Sequence, residues 1–195
     1  MSEPIWNLVG DLVALGPLRR DLLPLYQRWV NDFVTTRSLS VTPLPVTEEA
    51  ELAWYESVAA DPVNPGFTVY ERDSGRPVGN TALHNVDFRH GTAEWGVLIG
   101  EPDMRGKGFG TETGRLMLDY AFTALGLSNV MLTVFENNLA GRRAYEKAGF
   151  REFGRRRQAR MMGTRRWDVI YMDCLSSEFT GSVLPRVFAG DEPRP

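Results

Sequence analysis

Glu94 to Thr111 read EWGVLIGEPDMRGKGFGT, and the rest of the chain is organised around them. The apolar run Val97-Leu98-Ile99 predicts a buried strand, and Glu101-Pro102-Asp103 ends it with a turn. Glycines follow at Gly106, Gly108 and Gly110, and from Thr111 the pattern is helical. Glycines placed immediately ahead of a helix leave several backbone N–H groups pointing one way, with the positive end of the helix dipole behind them. Such a segment is an anion site, above all a phosphate site.

Spacing separates the possible phosphate loops. A Walker loop needs Gly-Lys-Ser/Thr, but Lys107 is followed by Gly108, so that reading fails. A dinucleotide fingerprint needs G-x-G-x-x-G opening a βαβ unit, and Gly106-x-Gly108-x-Gly110 has the wrong last interval. What remains is Arg105-x-x-Gly108-x-Gly110. Behind it, Leu116, Met117, Tyr120, Ala121, Ala124 and Leu125 form one helical face. Asn129 to Phe135, NVMLTVF, reads as a strand, and ENNLAGRRAYEKAGF runs on to Phe150 with Asn138, Tyr145 and the Glu146 to Phe150 close in fixed order.

On these motifs the chain resembles the GNAT (Gcn5-related) N-acetyltransferases, within them the branch that includes the ribosomal-protein alanine N-acetyltransferases. The likeness runs from Leu8 to Leu175 and is sharpest between Glu94 and Phe150. It implies an α/β fold of the α+β kind: a central mixed, mostly antiparallel sheet with helices on both faces. It also implies an enzyme moving an acetyl group from acetyl-CoA to a primary amine by direct transfer in a ternary complex. The acceptor is a protein N-terminus or a small-molecule amine. The alternative is a non-catalytic acyl-CoA-binding or regulatory module that has kept the loop and lost turnover.

The chain's 195 residues, with 43% hydrophobic content, suit one core. One domain is expected over residues 1–177, with a loosely ordered tail over 178–195. A net charge of −3 and a pI near 5.5 argue against a general nucleic-acid or membrane-surface binder. The lone Cys174 supplies neither an internal disulfide nor a metal cluster, so no metal is expected. No run reaches membrane-span length and residues 1–10 lack a secretion-signal pattern, so the expected location is cytoplasmic. The resemblance allows a homodimer.

Before the central strand, Leu8 to Leu15 reads as a first strand and Arg19 to Val30 as a helix that must begin late because of Pro24. A second helix runs from an N-cap at Thr47 to about Ala59, and a hairpin occupies Phe67 to Glu71 and Pro77 to Asn85. After Phe150, Arg151 to Met161 and Arg165 to Leu175 form a closing hairpin. Its many arginines suit a solvated edge that resists strand pairing, or a border of the acceptor site.

Acetyl transfer to an amine needs an oxyanion donor, a proton for the departing thiolate and a base. By resemblance the donor is a backbone N–H freed by a bulge near Val97, Leu98 and Ile99, and the proton comes from the Tyr145 phenol, which otherwise would be helix packing. The base is Glu94, with His84, Asp32 or water as the other options. For the cofactor, Arg105, Gly106, Lys107, Gly108, Phe109, Gly110 and Thr111 should meet the pyrophosphate. Asn138 is a pantetheine or backbone-orienting contact, and Arg143 a phosphate contact. In this fold the segment after the first helix borders the acceptor, which makes Trp29 and Asp32 candidates beside His84. Otherwise Trp29 is core and Asp32 closes the helix.

Overall fold

The structure, a computed structural model, describes residues 4–39, 42–181 and 183–188. The sequence-predicted strands close into one eight-stranded sheet of order β1-β2-β3-β4-β5-β6-β8-β7. The strands are β1 Leu8–Val9, β2 Val13–Pro17, β3 Gly66–Glu71, β4 Pro77–Asp87, β5 Thr92–Ile99, β6 Asn129–Phe135, β7 Arg151–Met162 and β8 Arg165–Leu175. Every neighbouring pair is antiparallel except β5 and β6, which run parallel. The helices are α1 Leu23–Asn31, α2 Phe33–Thr36, α3 Glu48–Ala59, α4 Phe109–Asp119, α5 Leu139–Ala148 and α6 Leu184–Val187.

Strand alternation sends successive β5 side chains to opposite faces of the sheet. Trp95 lies against Gly114 of α4, and Val97 and Ile99 pack into the main core with Leu116 and Met117. On the other face Leu98 joins Leu22, Tyr26, Trp29 and Tyr70 beneath α1. Thr47 caps α3 as expected, its hydroxyl accepting from the Ala50 N–H at 3.2 Å, a contact typically worth about 1 kcal/mol. Pro24 sits in the first turn of α1, where no hydrogen-bonded N–H is required.

Three local readings are corrected. The first strand is a hairpin, because the Glu112 carboxylate of α4 accepts from the N–H groups of Asp11, Leu12 and Val13 at 2.6–2.8 Å and fixes a turn there. The short helix α2 arises because Asp32 caps it, accepting from the Val34 N–H at 3.0 Å and from the Thr35 hydroxyl. The expected bulge is not at Val97 to Ile99, where β4 and β5 stay in register from Gly79↔Ile99 to His84↔Glu94, but just beyond, where the N–H groups of Gly100 and Glu101 both donate to Val78 O at 2.9 and 3.2 Å; a second irregularity falls between His84 and Asp87, where Asn85 has φ 50°.

After β8 the chain returns to α4. Arg151 pairs with Glu178 at 2.6 Å, and Asp119 accepts from the N–H groups of Val183 and Leu184, each at 3.0 Å. Leu184 is buried. Glu178, Val183 and Leu184 of the segment expected to be loose are therefore held to the domain, Val187 and Phe188 are exposed, and residues 182 and 189–195 of that expectation lie outside the described residues.

Candidate active site

The parallel pair holds for only Thr92↔Asn129, Ala93↔Val130 and Glu94↔Met131. Beyond Glu94, β5 continues along β4 while β6 continues along β8 as far as Phe135↔Val169. The sheet therefore opens into a wedge with Glu94 at its apex. Gly100 donates to Val78 O at 2.9 Å, so by antiparallel alternation the N–H groups of Gly96 and Leu98 turn toward β4 and that of Val97 turns into the wedge. Parting strands free the backbone donor that a bulge was expected to supply.

A cavity of about 400 Å³ occupies the wedge, lined by Glu94, Gly96, Val97, His84, Asn80, Tyr145 and Glu51 among others. Glu94 and His84 are direct cross-strand partners. A Cβ on Gly96 would lie 3.3 Å from His84 Nε2, so glycine keeps the imidazole accessible. Burial pulls the His84 pKa below its ordinary value, opposed by the neighbouring Glu94 charge, and a lowered value favours the neutral imidazole.

Tyr145 enters from the opposite face. Its ring stands edge-on to Trp95 at 5.4 Å and 82°, and Trp95 stacks on Phe150 at 5.4 Å. Trp95 is fixed in turn by its indole N–H, which donates to Thr81 Oγ1 at 2.7 Å. Burial pushes the Tyr145 phenol up to about 12, so it stays protonated through the neutral range. Its hydroxyl meets no hydrogen-bond partner among the described residues.

The glycine loop lies at the open end of the wedge. Gly106 and Gly108 take left-handed φ values of 73° and 95°, which side chains other than glycine rarely adopt. The first bond of α4 runs from the Glu112 N–H to Gly108 O at 3.0 Å, leaving the N–H groups of Phe109, Gly110 and Thr111 without intrahelical acceptors. A larger cavity of about 730 Å³ lies between the β1–β2 turn and α4. Its Glu112, Asp119, Arg115 and Glu178 side chains are engaged by protein partners, which leaves Asp11 and Lys147 as the charged side chains facing it.

A family model described as an acetyltransferase (GNAT) domain matches residues 13–151. The chain belongs to the GNAT acetyltransferase family. It is 29% identical over 159 residues to alpha/beta-tubulin-N-acetyltransferase 9 of Homo sapiens, covering 74% of this chain and 75% of that one. With a putative ribosomal N-acetyltransferase of Bacillus subtilis it shares 32% identity over 107 residues, 55% of this chain and 58% of the relative. A solved structure of spermidine N-acetyltransferase from Vibrio cholerae, in complex with CoA and spermine, superposes with a TM-score of 0.79 at 25% identity, over 87% of this chain and 98% of that one. The protein is an N-acetyltransferase, an acyltransferase acting on amines. Among the described residues no helix is long and apolar enough to cross a membrane.

Several residues read as site groups serve this acetyltransferase differently. Trp29 is 2% exposed. Its indole lies flat against Gly100, where a Cβ would fall 2.2 Å from the ring, and its N–H donates to Glu101 Oε1 at 2.7 Å. It is core, as the alternative reading had it. Asp32 is occupied by the α2 cap, and the Thr35 hydroxyl holds its carboxyl below the usual range, so it is not available as a base. The Arg105 guanidinium donates to Ile99 O at 3.0 Å, Gly100 O at 3.1 Å and Thr35 Oγ1 at 2.6 Å, bracing the loop instead of facing outward. The Phe109 side chain is core. Thr111 ties α4 to Ala144 O at 3.3 Å, and Asn138 caps α5 by accepting from the Gly141 N–H at 3.0 Å, the backbone-orienting role. Lys107 and Arg143 are exposed, beside the loop and on the second turn of α5 respectively.

Sequence reasoning missed the groups that hold the site together. Glu101 is 6% exposed and receives Arg28 of α1 and Arg76 of the β3–β4 hairpin along with Trp29. Arg160 of β7 donates to Leu39 O at 3.1 Å, so the arginine-rich hairpin does reach the segment bordering the cavity. Glu51 and Asn80 were also missed.

Proposed function

We propose that the protein transfers the acetyl group of acetyl-CoA directly to the primary amine of a small molecule or a protein N-terminus. The observation that carries this reading is the split between β5 and β6, which puts Tyr145 from one face of the sheet and Glu94 with His84 from the other into a single cavity. The residues present fit the cosubstrate. The amides of Phe109, Gly110 and Thr111, with Lys107 beside them, suit a diphosphate, and the wedge suits an extended chain pairing with the freed edge of β5. Acetyl-CoA supplies the activated acyl group.

Around that group the chain's own residues divide the work. The Val97 N–H donates to the thioester oxygen, where negative charge develops as the amine attacks. Glu94 takes a proton from the acceptor's ammonium, which frees the lone pair that attacks, and neutral His84 next to it accepts a hydrogen bond that holds the nitrogen in line. The Tyr145 phenol protonates the departing sulfur. A phenol raised to about 12 is a weak acid against a thiol of about 8.5. Its role is to deliver a proton as negative charge builds on sulfur, so turnover depends on its position more than on its acidity. Removing the hydroxyl in Tyr145→Phe is expected to lower kcat by about 10² or more while leaving the Kd for acetyl-CoA unchanged, measured by thiol release and calorimetry with a panel of amines. A kcat equal to wild type removes Tyr145 from the chemistry. Acyl-CoA binding without turnover for any amine in the wild type points to the non-catalytic module instead.

A further inference from the structure

Glu51 is not used by this chemistry. It belongs to the first turn of α3, on a stripe with Trp54 and Val58 that faces the cavity. The residue is 4% exposed, yet no cation and no hydrogen-bond donor meets its carboxyl among the described residues. An unpaired buried carboxyl is costly to retain, and folded chains seldom keep one without a partner. Asn80, across the cavity on β4, has the same deficit: its Oδ1 is buried and accepts no hydrogen bond. Both lack a donor. The described residues lining the cavity include no lysine or arginine, and its charged groups are Glu51 and Glu94.

The two carboxylates lie in different layers. Glu94 is on the sheet floor beside His84, where the reacting nitrogen must become neutral before it attacks. Glu51 is on the helical roof. A carboxylate placed only to hold the reacting nitrogen would stabilise its ammonium form and oppose its deprotonation, which argues for a second nitrogen that stays charged. Trp54, 38% exposed and lining the same cavity, offers a ring face of the kind that attracts an ammonium.

Building on the transfer reaction above, we propose that the acceptor is a linear diamine-type molecule, with its non-reacting ammonium bound by Glu51, Asn80 Oδ1 and the Trp54 ring. Glu51 is then the residue that sets acceptor choice. The ammonium supplies the N–H donors that both orphan oxygens lack, and its charge is matched by the carboxylate.

The test compares diaminobutane, diaminohexane and diaminooctane with butylamine, hexylamine and octylamine, in wild type and in Glu51→Gln, which preserves shape. Wild type is expected to favour the best diamine over its matched monoamine by about tenfold or more in kcat/KM. Glu51→Gln should abolish that preference through KM, with kcat and the monoamine values unchanged. Trp54→Leu should weaken the preference without abolishing it. Equal use of diamines and monoamines by the wild type overturns the proposal, as does an equal loss on both classes in Glu51→Gln. Calorimetric titration of the diamines into the CoA-bound protein reads the same preference without turnover. Selective binding without transfer would fail the transfer reaction and keep the ammonium site, and transfer without selectivity would do the reverse.

Discussion

Changing the three loop glycines to alanine one at a time separates what the fold requires from what the ligand requires. Gly108 has φ 95°, and a Cβ there would lie 3.2 Å from Leu12 Cδ1. Gly106 has φ 73° with nothing within 4 Å of the added atom. Gly110 sits inside α4, and its Cβ would come no nearer than 4.0 Å to Ile99 Cγ1. Holding alanine in the left-handed region costs about 1–2 kcal/mol. If Gly108→Ala relaxes out of that region when free and must return to it to aim its amides, Kd for CoA rises roughly 5–30-fold. Gly106→Ala should sit at the low end, because it lacks the Leu12 contact. Gly110→Ala has no such strain and should stabilise the free protein by up to about 1 kcal/mol, since alanine is the better helix former. A loss of CoA affinity in that variant therefore reports a methyl group intruding between amide and phosphate. Calorimetry with CoA and thermal melting of the free protein read the two effects separately. Should Gly108→Ala and Gly110→Ala both bind CoA as wild type does, the diphosphate is not held at this helix start, and the placement of the whole cosubstrate falls with it.

Glu101→Gln keeps an acceptor for the Trp29 N–H but loses charge-assisted bonds to Arg28 and Arg76, whose side chains are 61% and 42% exposed. Water replaces part of those bonds, so the expected loss is about 1–2 kcal/mol, a fall of roughly 2–8 °C in Tm that an unchanged melting curve would contradict. Gly100→Ala puts a Cβ 2.2 Å from the Trp29 ring and should cost about 1–3 kcal/mol or more as the indole is displaced, read as a lower denaturation midpoint with a diminished Trp29–Glu101 contact. Burial pushes Glu51 from 4.5 to about 6, so the free protein holds its proton more tightly than the unfolded chain and loses stability as pH rises through that window. At neutral pH this amounts to about 2 kcal/mol, and Glu51→Gln should melt higher than wild type above pH 6 and equally with it below about pH 4.5; equal melting at every pH would show that the carboxyl is already satisfied.

The parts legible in the sequence are those whose chemistry is local. The Thr47 cap, the strand ends and the glycine loop are each set by residues a few positions apart, so spacing alone locates them. The missed parts depend on contacts between distant segments. Nothing near Leu12 announces that Glu112 will cap its turn from about a hundred residues away, and nothing near Trp29 announces that Gly100 leaves room for its ring. The bulge expected at Val97 and the divergence found there expose the same N–H by different means, and only the pairing of β6 with β8 decides between them. One signal was available in advance: Glu51 shares a helical stripe with the apolar Trp54 and Val58, and a carboxyl that α3 buries on that stripe requires a partner. The cosubstrate end of the site is readable because phosphate is bound by consecutive backbone amides. The acceptor end is built from single side chains of α3, β4, β5 and α5, and their meeting in one cavity is a property of the sheet's opening, which no stretch of the chain encodes alone.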